Sequence, residues 1–449
     1  MTPPSPRERV LASYEAALAA AAPEAAVHGA FRANEITLEL GRDRPHWILA
    51  VGKAAAAMAR AAVSACAQRR LPIAGGLVIG TEATPDGHVD GLRDAIDASA
   101  HDGTLEHCRG DHPVPGVRSA HAAERLAAFS ERIGRDDVVI ACISGGTSSL
   151  IAAPIAGVRT EDLATLNALL LGAGVPIARI NAVRKRFSRW GAGRLAAALD
   201  CARVLPVLLA DVPNEDPAMI GSGPLSPDPL QAWQVERILR DAGLAVRVPL
   251  SIASTLGAMR AEAIAETPKP GSEVFARVES PFVVGNSAAL EAAAGAATEA
   301  GLAPVLLSRT ILTGDATAAG RAIAHAVARA APGSCLIWGG ETTVHLPDDH
   351  GLGGRCQQLA LAAAEVLADL GVRATLLAAG TDGHDGFAPA AGALVDGDTW
   401  ARSRAAGADP ARALARCDAY GALLAANAIL PARETGTNVM DIVVAVRER

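Results

Sequence analysis

Several short stretches of this chain pair glycine with a hydroxyl or charged side chain, a combination suited to binding and moving anions. The first is VGKAA, where Lys53 follows the apolar run WILAVG. Of the 41 basic residues only three are lysines, Lys53, Lys185 and Lys269. Lysine is a compact, mobile point charge, whereas arginine offers a planar fork for bidentate recognition. A chain that uses arginine nearly everywhere keeps lysine where that difference counts. Lys53 is therefore the leading candidate for neutralising a phosphate. Lys185 sits in the Arg-rich run INAVRKRFSRWGAGRLA, and its expected role is phosphate binding or interdomain support. Lys269 lies in the loop-like TPKPGSE and reads as a surface residue. The stretch SGGTSS at 144–149 supplies Ser144, Gly145, Gly146 and Ser148. Glycines there let backbone N–H groups approach an anion, and hydroxyls add donors. A following helix N-terminus would strengthen the effect. The chain has no GxxxxGK[ST] loop, so this is not a Walker A site.

DVPNEDPAMIGSGPLSPD at 211–228 places Asp211, Glu215 and Asp216 beside Gly221, Ser222 and Gly223. Carboxylates next to a phosphate cradle make sense if magnesium bridges them, because magnesium prefers hard oxygens and phosphate. Asp211 and Asp216 are the candidate ligands, and Glu215 reads as part of a solvated loop. Further on, Glu341 follows an apolar strand, and Arg355 follows a double glycine just before an apolar helix. An arginine there could clamp a carboxylate or steady a phosphoryl group in transfer. AAGTDGHDG at 378–386 contributes Asp382 and Asp385, which could hold magnesium or accept a hydroxyl proton. It is not an EF-hand, because the alternating ligands and the distant glutamate are missing. Together the motifs describe anion binding and carboxylates with little apparatus for covalent catalysis. Two other patterns are discounted. His101, His107, Cys108 and His112 cluster in HDGTLEHCRGDHPVPG, but the spacing fits no zinc frame. GAGVPI at 172–177 lacks the third glycine of a dinucleotide fingerprint and follows a helical stretch.

These motifs need strands and helices to hold them. Short apolar runs end at 52, 80, 144 and 212 and alternate with alanine-rich helical stretches. That alternation predicts an α/β domain with a largely parallel sheet, in which ligands gather at the carboxyl ends of strands. A second α/β series starts after ETPKPGSE with FVVGN, APVLLS, SCLIWGGETTVHL and RATLLAAGTDGHDG. The expected division is 1–240 and 241–449, at the polar, proline-containing stretch near 240. The apolar N-terminal stretch is interrupted by Glu15 and reads as a structural helix rather than a signal peptide. No run of about 18 apolar residues predicts a membrane span. A net charge of −7 and an aromatic content of 3 % argue against a nucleic-acid partner or an anionic membrane surface. Seven cysteines without a CxxC pair are read as reduced thiols of a cytoplasmic protein. A homo-oligomer is left open.

The ordered set VGKAA, HPVP, SGGTSSL, INAVRKRFS, DVPNEDP, GSGPLSPDP, GGETTV, GGRCQQLAL, GTDGHDG and TGTNV resembles the glycerate 2-kinase family with a C-terminal MOFRL domain, members of which often carry the name hydroxypyruvate reductase. The resemblance spans nearly the whole chain. It implies an N-terminal Rossmann-like domain, a C-terminal α/β domain of MOFRL type and an interdomain cleft as active site. It implies ATP and magnesium as co-substrates and D-glycerate, a small hydroxy acid, as acceptor, giving 2-phosphoglycerate. By motif, Lys53 and Arg355 match the catalytic basic pair, and the SGG loop, Asp211, Asp382 and Asp385 match site residues. The chain departs from the family pattern at Thr147, Leu225, Cys356, Gln358, Glu434 and Met440. Those departures bear on the acceptor more than on the reaction type. A nicotinamide-dependent reductase is disfavoured by the lack of a complete GxGxxG, and a non-catalytic binding descendant is the remaining alternative.

Overall fold

The apolar runs HWILAV and VVIACI become β1 (His46–Val51) and β4 (Val138–Ile143), each buried along its whole length. Continuous burial on both faces is what a parallel sheet covered by helices demands. The other strands of this sheet are β2 (Ile73–Gly80), β3 (Leu105–Arg109), β5 (Arg203–Leu209) and β6 (Phe282–Val284). The computed structural model describes residues 4–81, 105–199 and 202–449. The strand order is β3-β2-β1-β4-β5-β6. β1 pairs in parallel with both β2 and β4, with Val51 opposite Ile79 and Ile143. This is the Rossmann-like order, and the chain reverses its direction of travel across the sheet between β1 and β4. The strand β3 carries no expectation from the sequence, because LEHCR is short and mostly polar.

The second sheet contains β7 (Val305–Leu307), β8 (Cys335–Gly340), β9 (Ala374–Gly380), β10 (Ala390–Asp396), β11 (Ile429–Pro431) and β12 (Asp441–Arg447). Its order is β11-β10-β9-β12-β8-β7. Among the described strands of this sheet only β7 and β8 pair in parallel; β12 lies antiparallel between β8 and β9. Alternate residues of β9 and β12 serve two cores. Leu377, Ala379, Ile442 and Val444 face a cluster that includes the N-terminal helix Pro6–Ala20 and the helix Asn286–Glu299. Leu376, Ala378, Val443 and Ala445 face the helices Ala316–Arg329 and Arg355–Asp369. The period-two alternation of side chains divides each strand between two helical layers.

The chain divides into two units. One comprises residues 26–209 and 216–283; the other comprises 1–25, 210–215 and 284–449. This division differs from the one expected at residue 240. Helices Ala232–Asp241 and Leu250–Arg260 share an apolar cluster with Leu166, Leu170, Ile180 and Phe187, which holds them in the first unit. The N-terminal stretch is helical as expected, with a Ser5–Glu8 capping box, but it folds into the second unit. Among the described residues no helix is long and apolar enough to cross a membrane.

Candidate active site

In the first unit, Gly52 and Lys53 follow β1, and Ser144, Gly145 and Gly146 follow β4. These turns stand at the carboxyl ends of adjacent strands where the strand order reverses, the place where open α/β sheets bind ligands. Backbone bonds lock them together: the Lys53 N–H donates to the Gly145 carbonyl at 2.9 Å, and the Ser144 N–H donates to that of Val51 at 3.0 Å. The Ser144 hydroxyl accepts from the Ala54 N–H at 3.1 Å, at the start of the helix Ala55–Arg69. Thr147 is fully buried, and its hydroxyl reaches the carbonyls of Val51 at 2.9 Å and Ser144 at 2.8 Å. The residue that departs from the family glycine therefore ties the two strand ends together.

Two glycines in this region are required by space. A Cβ on Gly52 would lie 2.0 Å from the Ser144 Oγ. Gly146 has φ +87°, and a Cβ there would crowd His112 and Lys53 at 3.1–3.3 Å. Lys53 itself is exposed, and its ammonium makes no ion pair among the described residues. His112 is a site neighbour that the sequence reading discounted with the zinc-like cluster. Partial burial and the Lys53 charge hold its imidazole below the ordinary value. Its signal was the HPVP stretch directly after a strand end, once β3 is known. His101 lies outside the described residues, and among those described no three His, Cys, Asp or Glu side chains gather as a metal site.

The 221–223 loop joins this constellation. The Ser222 and Ser148 hydroxyls are 2.7 Å apart, and a Cβ on Gly221 would fall 2.9 Å from the Thr147 Cβ. Gly221, Ser222 and Gly223 all adopt left-handed backbone. Leu225, another departure from the family pattern, is buried beside this loop. Asp216 is exposed and accepts from the Ala218 N–H at 2.9 Å. Lys185 is not open to a ligand in the way its motif suggests: it is buried, 3.4 Å from Asp228. Its neighbour Arg186 is wholly buried, bonded to Asp228 at 2.9 Å and paired with Glu266. Lys269 corrects its reading as a surface residue. Its ammonium donates to Thr267 at 2.7 Å and to the Leu230 carbonyl, and burial pulls its pKa down to about 8. The Arg-rich run thus builds a buried ionic scaffold.

In the second unit the centre is Arg355, the first residue of its helix. Its Nε and Nη2 donate to the two Asp441 oxygens at 2.6 and 2.9 Å, and its Nη1 lies 2.6 Å from Glu341. Asp441 begins β12, which brings it beside the end of β8 and hence Glu341. Burial pushes its carboxyl up to about 6, against the pull of Arg355. Burial also opposes the Arg355 charge, but the bonds to Asp441 hold its pKa above the ordinary value. Asp441 was missed in the sequence, where it reads only as the polar start of DIVVAV.

Asp382 and Asp385 part company. Asp385 is buried and accepts from the Cys356 N–H at 3.0 Å, the Gln357 N–H at 2.8 Å and the Gln357 side chain at 2.9 Å. It caps the Arg355 helix, an engagement that its reading as a proton acceptor did not anticipate. Asp382 is half-buried and accepts from the His384 N–H at 3.0 Å. A Cβ on Gly380 would lie 2.9 Å from the Asp382 Oδ1 and 3.7 Å from the Asp441 Oδ1, so both carboxylates flank that glycine. Gln358 stands where the family pattern has a glutamate. It is buried, and its amide donates to Thr317 at 3.0 Å and to the Leu414 carbonyl at 2.9 Å. A glutamate would place a carboxylate against that carbonyl. Cys356 is buried too, its thiol pushed well up by burial. Glu434 is exposed, 2.9 Å from the His384 Nε2. Met440, at φ +70°, offers its carbonyl to the Thr381 N–H and hydroxyl. Glu215 is no solvated loop residue: its carboxylate accepts from the Ser287 N–H at 2.6 Å and hydroxyl at 2.7 Å, capping the Asn286 helix. Asp211 is half-buried and engaged, and belongs to the second unit, whereas Asp216 belongs to the first.

Comparison with known proteins agrees with this architecture. A family described as "Domain of unknown function (DUF4147)" matches residues 9–257, and the MOFRL family matches residues 334–441. A Thermotoga maritima protein named D-glycerate 2-kinase is 34 % identical over 406 residues, covering 88 % of this chain and 89 % of that protein. An Agrobacterium vitis protein with the provisional name hydroxypyruvate reductase is 36 % identical over 450 residues, covering 98 % and 94 %. A crystal structure of glycerate kinase from Thermotoga maritima superposes with a TM-score of 0.82 at 31 % identity, covering 98 % of this chain and 99 % of that one. The chain belongs to the glycerate-kinase-like family with a MOFRL-type C-terminal domain.

Proposed function

We propose that this protein is an ATP-dependent kinase that phosphorylates the 2-hydroxyl of D-glycerate, giving 2-phosphoglycerate and ADP. The carrying observation is Lys53, exposed and without an ion pair among the described residues, beside the glycine turn at the strand-order reversal, in a chain of the glycerate-kinase-like family. Phosphoryl transfer asks for positioning and charge neutralisation, with little covalent work by the protein. Gly145 and Gly146, with the Ser148 and Ser222 hydroxyls nearby, suit phosphate oxygens, because glycines let backbone N–H groups approach an anion and hydroxyls add donors. Magnesium carried by a polyphosphate needs only one or two protein carboxylates, so the lack of a three-carboxylate cage among the described residues is compatible with it. Asp216 in the first unit and Asp211 in the second are each proposed as a carboxylate for the ion, which would neutralise phosphate charge.

In this reading Lys53 neutralises charge on the nucleotide phosphates. Arg355, held in register by Asp441 and Glu341, grips the acceptor's carboxylate or the migrating phosphoryl group. Asp382 orients the 2-hydroxyl and takes its proton as the oxygen–phosphorus bond forms and ADP departs. Asp385 supports the Arg355 helix rather than touching the acceptor. Removing one electrostatic partner of this kind commonly costs about 3–4 kcal/mol of barrier. Lys53→Ala is therefore expected to lower kcat at least about a hundredfold while the thermal melt stays cooperative. Near-normal turnover in the folded variant sinks the role of Lys53.

The function itself is tested with ATP and magnesium across a panel of small hydroxy acids, with the phosphorylated position read by phosphorus NMR. Transfer to another hydroxy acid in preference to D-glycerate would reassign the acceptor. A parallel absorbance assay with reduced nicotinamide and hydroxypyruvate tests the reductase alternative that the Agrobacterium name raises. Oxidation of the nicotinamide with no ATP consumption would overturn the kinase reading.

A further inference from the structure

The N-terminal helix carries a side chain that reaches the strand end preceding Asp382. Tyr14 has no exposed surface, and its hydroxyl donates to the Gly380 carbonyl at 2.6 Å. Gly380 is the last residue of β9 and stands opposite Asp441 in the sheet register. It is also the glycine that the Asp382 and Asp441 carboxylates flank. Burial holds the Tyr14 phenol above its ordinary value, so it remains a proton donor to that carbonyl at physiological pH.

The same helix and Ala21 at its end are tied to the stretch 433–437 at two further points. Glu15 pairs with Arg433 at 2.6 Å, and the Arg433 N–H donates to the Gly383 carbonyl at 3.2 Å. The Thr437 hydroxyl donates to the Ala21 carbonyl at 2.6 Å. Glu15–Arg433 is an exposed pair and contributes little. The Tyr14 bond is buried, and an unpaired carbonyl at that depth would be costly. Filling an apolar space beside β9 and β12 requires only a ring, which phenylalanine would supply. The hydroxyl adds a fixed contact with the carbonyl of the glycine that both carboxylates flank.

We propose that Tyr14 is a positioning residue, setting through the Gly380 carbonyl the placement of Asp382 and Asp441 for the phosphoryl acceptor. The proposal rests on the kinase reading, in which those carboxylates serve the acceptor side. Tyr14→Phe in the full-length chain keeps the ring and removes the hydroxyl alone. Loss of one positioning bond, with both carboxylates retained, is expected to lower kcat roughly three- to tenfold. The KM for ATP is expected to stay within about twofold, because the nucleotide-side residues Lys53 and Ser144–Gly146 gain and lose no contact. Val10→Ala is the structural control: Val10 is buried in the same helix and core, without a side-chain hydrogen bond to the loop. It is expected to lower the melting temperature and leave kcat unchanged at a temperature where it is folded.

Equal kcat in Tyr14→Phe and wild type overturns the proposal and leaves the kinase reading intact. So does a parallel loss of kcat in Val10→Ala, which would make the effect one of stability. A Tyr14→Phe chain that no longer melts cooperatively overturns it as well, by making the hydroxyl a determinant of folding. A wild-type protein that phosphorylates no hydroxy acid removes the kinase reading first, and the role of Tyr14 with it.

Discussion

Asp441 and Arg355 form a pair in which one member is deeply buried and the other partly reaches solvent, with 6 % and 33 % side-chain exposure. That asymmetry decides the pH behaviour. Burial raises the Asp441 carboxyl from an ordinary value of 3.8 to about 6. Between those values the folded state keeps a proton that the unfolded chain has released. This group's contribution to stability is therefore greatest below pH 3.8 and declines as pH rises through about 6. Activity should move the other way, because only the ionised carboxylate can hold Arg355 by both oxygens. The expected rate profile has an acid limb with an apparent pKa near 6, and Asp441→Asn removes that limb while lowering the plateau. An unchanged limb in the variant would assign it elsewhere.

At the scale of elements, helix ends decide which carboxylates remain for chemistry. Asp385 spends both oxygens on the start of the Arg355 helix, and Glu215 does the same for the Asn286 helix. Both satisfy N–H groups that a helix cannot pair internally. Helix ends also store strain that can be removed. Arg70 closes the helix Ala55–Arg69 at φ 58° and ψ 38°, a left-handed conformation that costs a side-chain-bearing residue. Its side chain is exposed, so little packing is lost on replacement. Arg70→Gly is expected to stabilise the protein by roughly 0.5–1 kcal/mol, less than the full strain because glycine also loosens the unfolded chain. A urea midpoint equal to or below the wild type would show that the cap carries no net strain.

At the scale of the molecule, the first 25 residues fold with the last 166 rather than with the strands and helices nearest to them in the chain. Val10, Tyr14 and Leu18 are buried against Leu290, Ile442 and Val444. Each large apolar side chain removed from water contributes roughly 1.5–3 kcal/mol, so their joint loss rivals the whole stability of a domain. Deleting residues 1–22 is expected to strip hydrogen-exchange protection from β9 and β12. Protection in β1 and β4 should persist, since both strands belong to the other unit. Retained protection in β9 and β12 would show that the N-terminal helix is dispensable to the second sheet.

The local code was legible wherever chemistry and burial share a short stretch. The apolar runs of β1, β4 and β5 could be read as strands because full burial on both faces demands uninterrupted hydrophobicity. The two α/β units, the glycine turns after β1 and β4, Lys53 beside them and Arg355 at a helix start all come from residue type and spacing. What the sequence could not determine was partnership. Lys53 and Lys185 both sit in basic or glycine-rich motifs, yet one is exposed without an ion pair among the described residues and the other is buried against Asp228. Asp382 and Asp385 lie three residues apart, and only the fold makes one of them a helix cap. Asp441 becomes Arg355's partner because β12 inserts antiparallel between β8 and β9, a pairing that no local pattern encodes. Tyr14 meets Gly380 across 366 positions of sequence. Residue chemistry and periodicity are short-range properties of the chain; burial, ion pairing and capping depend on which distant segments share a core, and only the tertiary structure decides that.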